Sequence, residues 1–279
     1  MNKELDLIVF GATSFVGKII CRYLANEHIE PNFSWAMAAR SQEKLESLRG
    51  TLGNGAEHIP IIVAESFDKD ALAALCDRAG VVLSTVGPYA LYGEALVEAC
   101  VAAGTDYCDL TGESQWMKRM ISRYSDEARL SGARIIHACG FDSLPSDLGV
   151  KFLQQQAQTR FGEPCFTVKM RVKAMKGGAS GGTIASGVNA FKEAASDPAV
   201  REEMKDWYSL CPEGHRNSAK QRYVNMEYDE DFKSWVGPFI MASVNTRVVL
   251  RTNALLNEQY GRQFYYDEGS LTGTGDAGR

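Results

Sequence analysis

The sequence of 279 residues contains no C-x-x-C pair, although it has seven cysteines, at 21, 76, 100, 108, 139, 165 and 211. An odd, scattered set lying inside apolar runs excludes a disulfide framework and predicts free thiols in a reducing cytosol. Histidine is scarce, with four in the chain, and no Cys/His spacing matches a metal centre, so no metal is expected. Basic residues are outnumbered 30 to 35, and a net charge of −5 provides no general field for nucleic acid or anionic lipid. Long apolar runs are missing too. The most apolar stretch, residues 80–104, is interrupted by Pro88, Glu94 and Glu98 and cannot span a bilayer. Acidic Glu4 and Asp6, with no small-residue cleavage site after them, argue against a secretory leader. A cytoplasmic protein is the default, with peripheral membrane association left open.

What is present is an ordinary apolar fraction, 45%, enough for a sizeable core. The opening run LDLIVF, residues 5–10, has the continuous apolar character of a strand buried on both faces, and it ends at Gly11. A helix follows. Strands are then expected at 34–39, 59–63, 80–85, 106–109 and 133–138, with helices at 41–49, 68–78, 91–103 and 115–131 between them. Strand and helix in turn, with short connections, predict a parallel sheet covered on both faces: an α/β, Rossmann-type doubly wound domain over residues 1–145. After a helix near Ser146 the pattern changes. Residues 165–175 alternate at period two, which predicts an antiparallel strand with one buried face, and a glycine-rich segment, 177–182, leads into a helix at 183–195. A second, α+β domain is expected over 146–268, followed by a flexible Gly- and Thr-rich tail, 269–279.

The most informative motif is Gly11-Ala12-Thr13-Ser14-Phe15-Val16-Gly17, between the first strand and its helix. Gly11 lets the chain leave the strand sharply, Gly17 permits close packing of helix on sheet, and the helix N-terminus through Thr13, Ser14, Phe15 and Val16 presents free N–H groups and a positive dipole end to a pyrophosphate. Ser14 stands where a middle glycine is usual; its Cβ crowds the phosphate approach and its hydroxyl can donate a hydrogen bond. The second strand ends in Ala38-Ala39-Arg40-Ser41, where an NAD site would place a carboxylate for the ribose hydroxyls. Arginine reverses that preference. Arg40 can pair with a 2′-phosphate, Ser41 can donate to it and cap the next helix, and Lys44 adds charge one turn on, so the expected cofactor is NADP(H). At the end of the fourth strand, Val86, Gly87 and Pro88 lie where the nicotinamide ribose approaches.

Together the segments GATSFVG, AARSQEKL, STVGPYALYGEALVEAC, AGTDYCDLTGE and HACGFDSLPSDLG resemble the saccharopine-dehydrogenase-like oxidoreductases, in the family's order. The resemblance is strong over residues 5–150 and looser through GGASGGTIAS (177–186) and TNALLNEQYG (252–261). Its nearest branch is the one with the mammalian saccharopine-dehydrogenase-like protein and the mycobacterial trans-acting enoyl reductases. It implies an NADP-binding Rossmann domain, a second domain forming the substrate side and often a homodimer contact, and a place in lipid or glycolipid biosynthesis. It also implies a longer chain, so the second domain is expected to be incomplete.

Hydride transfer asks the protein for placement and a proton or charge stabilisation. Asp109 and Glu113 follow the fifth strand, and His137 and Asp142 follow the sixth; these are the candidate catalytic residues. Each has a structural alternative, a capped turn for Asp142 and a satisfied strand-end ring for His137. Cys139 reads as a packed thiol. The Gly177–Gly182 segment either cradles an anion or merely connects, and it lacks the lysine of a nucleotide-hydrolysing loop. The expected activity is NADP(H)-dependent reduction of a small or lipid-linked substrate, enoyl reduction among the choices; the alternative is a cofactor-binding sensor, scaffold or lipid-associated protein without catalysis. The acidic run at 227–231 gives no support to a saccharopine substrate.

Overall fold

The strand LDLIVF sits at the centre of a sheet because, apart from the exposed Asp6 near its start, its residues are apolar on both faces. The computed structural model describes residues 3–26, 32–53, 55–178, 180–275 and 278. The chain divides into two compact units: Met1–Cys139 with Ala179–Lys192, and Gly140–Gly178 with Glu193–Arg279. The continuous stretch of the first unit ends at Cys139, and the unit also takes in the segment 179–192.

In the first unit β1 (Leu5–Phe10), β2 (Trp35–Ala39), β3 (Ile61–Val63), β4 (Ala79–Ser84), β5 (Asp106–Asp109) and β6 (Ile135–Ile136) form one sheet in the order β3-β2-β1-β4-β5-β6. Every pairing is parallel. The helices are α1 (Phe15–Asn26), α2 (Gln42–Arg49), α3 (Lys69–Arg78), α4 (Tyr89–Tyr92), α5 (Glu94–Ala103) and α6 (Ser114–Ser131). Ile8, Val9, Met37, Cys21 and Leu45 are buried without exposure. The order reverses direction at β1, which opens a crevice at the carboxyl ends of β1 and β4. The helix expected at 91–103 is two, broken at Gly93, where a Cβ would come within 2.7 Å of the Trp116 indole. Helical spacing cannot report that approach.

The second unit holds α7 (Leu144–Phe161), β7 (Thr167–Val172), α9 (Pro198–Glu203), β8 (Glu227–Asp229), β9 (Ser234–Pro238), α10 (Ala242–Leu255) and β10 (Tyr265–Gly273); α8 (Gly181–Ser196) lies up to residue 192 in the first unit. The sheet order is β7-β10-β9-β8. Two expectations are corrected. β7 runs parallel to β10, not antiparallel to a neighbour, because period-two alternation reports one-sided burial and carries no information on the partner's direction. Residues 269–273, expected to be flexible, complete β10, which pairs with β7 on one side and β9 on the other; of the rest of that tail, 276, 277 and 279 fall outside the described residues. Buried Arg171 on β7 pairs with Asp229 on β8 and Asp267 on β10, so the sheet's interior charges are matched rather than stranded. No helix among the described residues is long and apolar enough to cross a membrane.

Under α7 and α10, the Glu268 carboxylate accepts from Tyr266 Oη at 2.5 Å and Asn245 Nδ2 at 3.0 Å. Burial pushes its carboxyl above the ordinary glutamate value, more strongly than the hydrogen bonds of Ser146, Tyr266 and Asn245 pull it down. A carboxyl whose folded pKa is raised binds its proton more tightly when folded, so its contribution is full below the unfolded pKa and is lost as pH rises through the folded one. Denaturant midpoints taken from pH 4 to pH 8 should therefore fall more steeply for the natural chain than for Glu268→Gln; parallel curves would show that the buried carboxyl is not the cause.

Candidate functional site

The turn after β1 is built from glycine geometry. Gly11 has φ +87°, and a Cβ there would lie 2.7 Å from both Thr85 Oγ1 and Val86 Cγ2. Its N–H and that of Ala12 both donate to Ala38 O of the neighbouring strand, at 2.8 and 3.1 Å. Gly17 packs α1 directly on this turn, for a Cβ there would fall 2.2 Å from Gly11 O. The amides of Thr13, Phe15 and Val16 have no acceptor among the described residues. They are the unpaired donors of a helix N-terminus, placed at the carboxyl end of β1, and they fit an anionic pyrophosphate.

Ser14 does something the sequence does not reveal. Its Oγ accepts from Gly17 N at 2.9 Å, and it lies 2.9 Å from Thr85 Oγ1, which itself donates to Gly11 O at 2.9 Å. With the threonine proton committed to Gly11, the serine proton goes to Thr85. The hydroxyl expected to donate to phosphate instead ties α1 to the end of β4, and it caps the helix in the place where glycine would leave the turn unsupported. Thr85, absent from the predicted site, is legible only through this partner 71 residues away.

On the other side of β1, Arg40 is exposed at the end of β2 and makes no hydrogen bond or ion pair among the described residues. Ser41 Oγ accepts from Lys44 N at 3.3 Å, capping α2 as expected. Lys44 is exposed one turn on. Beyond β4, Val86 leads into a cis Gly87–Pro88 peptide and α4. Tyr89 Oη donates to Ser84 O at 3.0 Å and so folds this loop back on its own strand.

The candidate catalytic residues separate into three situations. Asp109 and His137 meet: His137 Nδ1 lies 2.6 Å from Asp109 Oδ2, while Asp109 Oδ1 accepts from Thr111 N and Ala138 N, each at 3.0 Å. Ala138 itself has φ +59°, so the chain turns sharply just after this contact. The His137 ring stands edge-on to Trp116 and Tyr107, its side chain is 7% exposed, and Nε2 is buried with no hydrogen-bond partner among the described residues. Glu113 is spent on the protein: Oε1 accepts from Tyr89 N at 2.7 Å and Ser186 Oγ at 2.8 Å, and Oε2 from Ala90 N at 3.0 Å. Asp142 lies in the second unit with its side chain exposed, and its carbonyl accepts from Asn245 Nδ2 at 2.8 Å. Ser143 holds the cap position of α7 without a side-chain hydrogen bond to the helix.

Burial pushes the Cys139 thiol up to about 11 and the Cys108 thiol up to about 12, the charge of Asp109 adding to both. Neither is a thiolate nucleophile near neutral pH. The glycine-rich segment ends in its own cap, with Ser180 Oγ accepting from Thr183 N at 3.2 Å, so the first turn of α8 is served from within the chain. Among the described residues no three His, Cys, Asp or Glu side chains gather as a metal group.

Comparison with known proteins agrees with this geometry. The saccharopine dehydrogenase NADP binding domain family matches residues 7–136. A protein of Mycobacterium tuberculosis from the trans-acting enoyl reductase group is 42% identical over 279 residues, covering 98% of this chain and 66% of its own length. A trans-acting enoyl reductase of Mycobacterium leprae is 39% identical over 275 residues, covering 96% of this chain and 65% of its own. The chain thus spans just under two thirds of the length of these relatives. Among solved structures, apo saccharopine dehydrogenase (L-Glu forming) of Saccharomyces cerevisiae aligns over 61% of this chain and 35% of its own at 18% identity, with a TM-score of 0.42. With the fingerprint turn and the order of six parallel strands in place, the chain belongs to the saccharopine-dehydrogenase-like oxidoreductase family, and residues 7–136 are its NADP-binding domain.

Proposed function

We propose that the chain takes part in NADPH-dependent reduction of an activated double bond, of the enoyl type, in a small or lipid-linked substrate. The observation that carries the cofactor half of this reading is the pairing of unbonded amides at the start of α1 with an unpartnered Arg40 across β1. Thr13, Phe15 and Val16 would hold the pyrophosphate, Arg40 with Ser41 and Lys44 the 2′-phosphate, and Val86, Gly87 and Pro88 the nicotinamide half. The relatives named as trans-acting enoyl reductases support the reaction type.

Bound there, NADPH would supply hydride chemistry, and reduction of an enoyl group would ask this chain's residues for a proton at the carbon α to the carbonyl. In this reading Asp109 orients the His137 ring by taking Nδ1–H, and the proton given to the α-carbon leaves Nε2 of the doubly protonated ring, which returns to the neutral Nδ1–H form. Glu113 has no free oxygen for that task. A second reading has a specific observation in its favour: His137 Nε2 is buried and both oxygens of Glu113 are taken, the arrangement of a protein that binds the cofactor as a sensor or scaffold without turnover. NADPH oxidation by the purified chain over a panel of enoyl thioesters, ketones and imines separates the two. Turnover on an enoyl thioester supports the first and silence over the whole panel supports the second.

Calorimetric titration tests the cofactor directly. The natural chain should bind NADPH well and NADH weakly. Arg40→Ala removes a charged hydrogen-bond partner, worth about 1.5–3 kcal/mol, so NADPH affinity should fall about 10- to 150-fold. NADH, lacking the 2′-phosphate, should be unaffected. Equal NADPH binding by both chains would remove Arg40 from the site.

A further inference from the structure

Glu113 was singled out as a candidate acid or base, yet its environment shows a different use. A carboxylate with 3% of its surface exposed is stable only when its oxygens are met by donors. The donors here come from two separate parts of the chain. Tyr89 N and Ala90 N open α4, directly after Val86, Gly87 and cis Pro88; Ser186 Oγ belongs to α8, 73 residues after Glu113. Ser186 also stands over that preceding loop, since a Cβ on Gly87 would lie 3.7 Å from its Oγ. Tyr89 closes the other end by donating to Ser84 O.

A dinucleotide laid across the crevice with its pyrophosphate on α1 has its adenosine half over β2 and its nicotinamide half over β4. The start of α4, which Glu113 grips, is therefore on the nicotinamide side. We propose that Glu113 and Ser186 are positioning residues for the nicotinamide half of the cofactor, fixing the Val86–Pro88 backbone against which that half lies. This rests on the NADPH reading above. Glu113→Gln keeps size but turns an NH2 on the Ala90 N–H that Oε2 met, so the grip loses one of its three bonds and gains an opposed pair of donors.

The test uses two probes on the full chain, NADPH and adenosine 2′,5′-bisphosphate, which carries only the adenosine half. Glu113→Gln should weaken NADPH about tenfold and leave the bisphosphate within about twofold, whereas Arg40→Ala should weaken both. Ser186→Ala, which removes one contact on a partly exposed helix, should repeat the Glu113 pattern at smaller amplitude and serves if Glu113→Gln does not fold. Glu113→Gln and Ser186→Ala chains that bind NADPH like the natural one, or that lose both probes in equal measure, would overturn the assignment. If the natural chain binds neither probe, the cofactor reading fails, and this inference falls with it.

Discussion

Gly17→Ala should abolish measurable NADPH binding and markedly lower the denaturant midpoint. The added Cβ would fall 2.2 Å from Gly11 O and 2.9 Å from the Cα and carbonyl carbon of Ala12. All three are backbone atoms, so no rotamer change relieves the overlap; α1 has to move away from the end of β1. Overpacking in a core costs about 1–3 kcal/mol and more where nothing yields, which places this substitution at or above the top of that range. The functional loss follows from the same displacement. The Phe15 and Val16 amides ride on α1, and a shift of about an ångström takes them out of hydrogen-bond reach of a phosphate held by the Gly11 turn. Gly50→Ala is the control, for Gly50 has φ −62° and nothing closer to its added Cβ than Ser47 O at 3.6 Å. A Gly17→Ala chain that binds NADPH like its parent would show that α1 does not carry the pyrophosphate.

His137→Gln should lower kcat on an enoyl substrate by about 10²–10⁴, the usual worth of a positioned proton donor, while NADPH affinity stays unchanged. Asp109→Asn makes a sharper version of the same test. With its oxygen kept by the Thr111 and Ala138 amides, the new NH2 faces His137 Nδ1, which must then accept instead of donate. The ring then carries its one proton on Nε2 as a neutral imidazole with no carboxylate behind Nδ1, a far weaker acid than the doubly protonated ring. Asp109→Ala goes further and leaves the His137 ring and two buried amides without their acceptor; unfolding should become easier by about 3–5 kcal/mol, read from denaturant curves. Full turnover by both His137→Gln and Asp109→Asn would make the pair a packing device that ties β5 to β6.

The site was legible in sequence wherever a role depends on local backbone. Gly11 before a helix and Arg40 at a strand end are positions whose meaning comes from the element that each one terminates, and the alternation of strand and helix already sets those elements. Ser14 was legible as a departure from the usual glycine, but its hydroxyl turns to Thr85, and no local spacing announces that partner. Glu113 shows the same limit from the other side: a carboxylate just past a strand end fits an acid–base role until Tyr89, Ala90 and Ser186 take both its oxygens. Glycine richness at 269–273 suggested a loose tail because composition speaks for the isolated chain; two neighbouring strands supply the ladder that orders it.

The sequence by itself determined the parallel α/β unit, the sharp turn at Gly11 and the preference for a phosphorylated ribose, since hydrophobic period, glycine's access to positive φ and the sign of one side chain are properties of short segments. Only the tertiary structure decided the direction of β7, the pairing of Asp109 with His137 and the spending of Glu113 on the start of α4. Each of these is a choice among distant partners, and the energy that selects the partner, buried charge meeting a donor or a strand completing its ladder, exists only once the chain has folded.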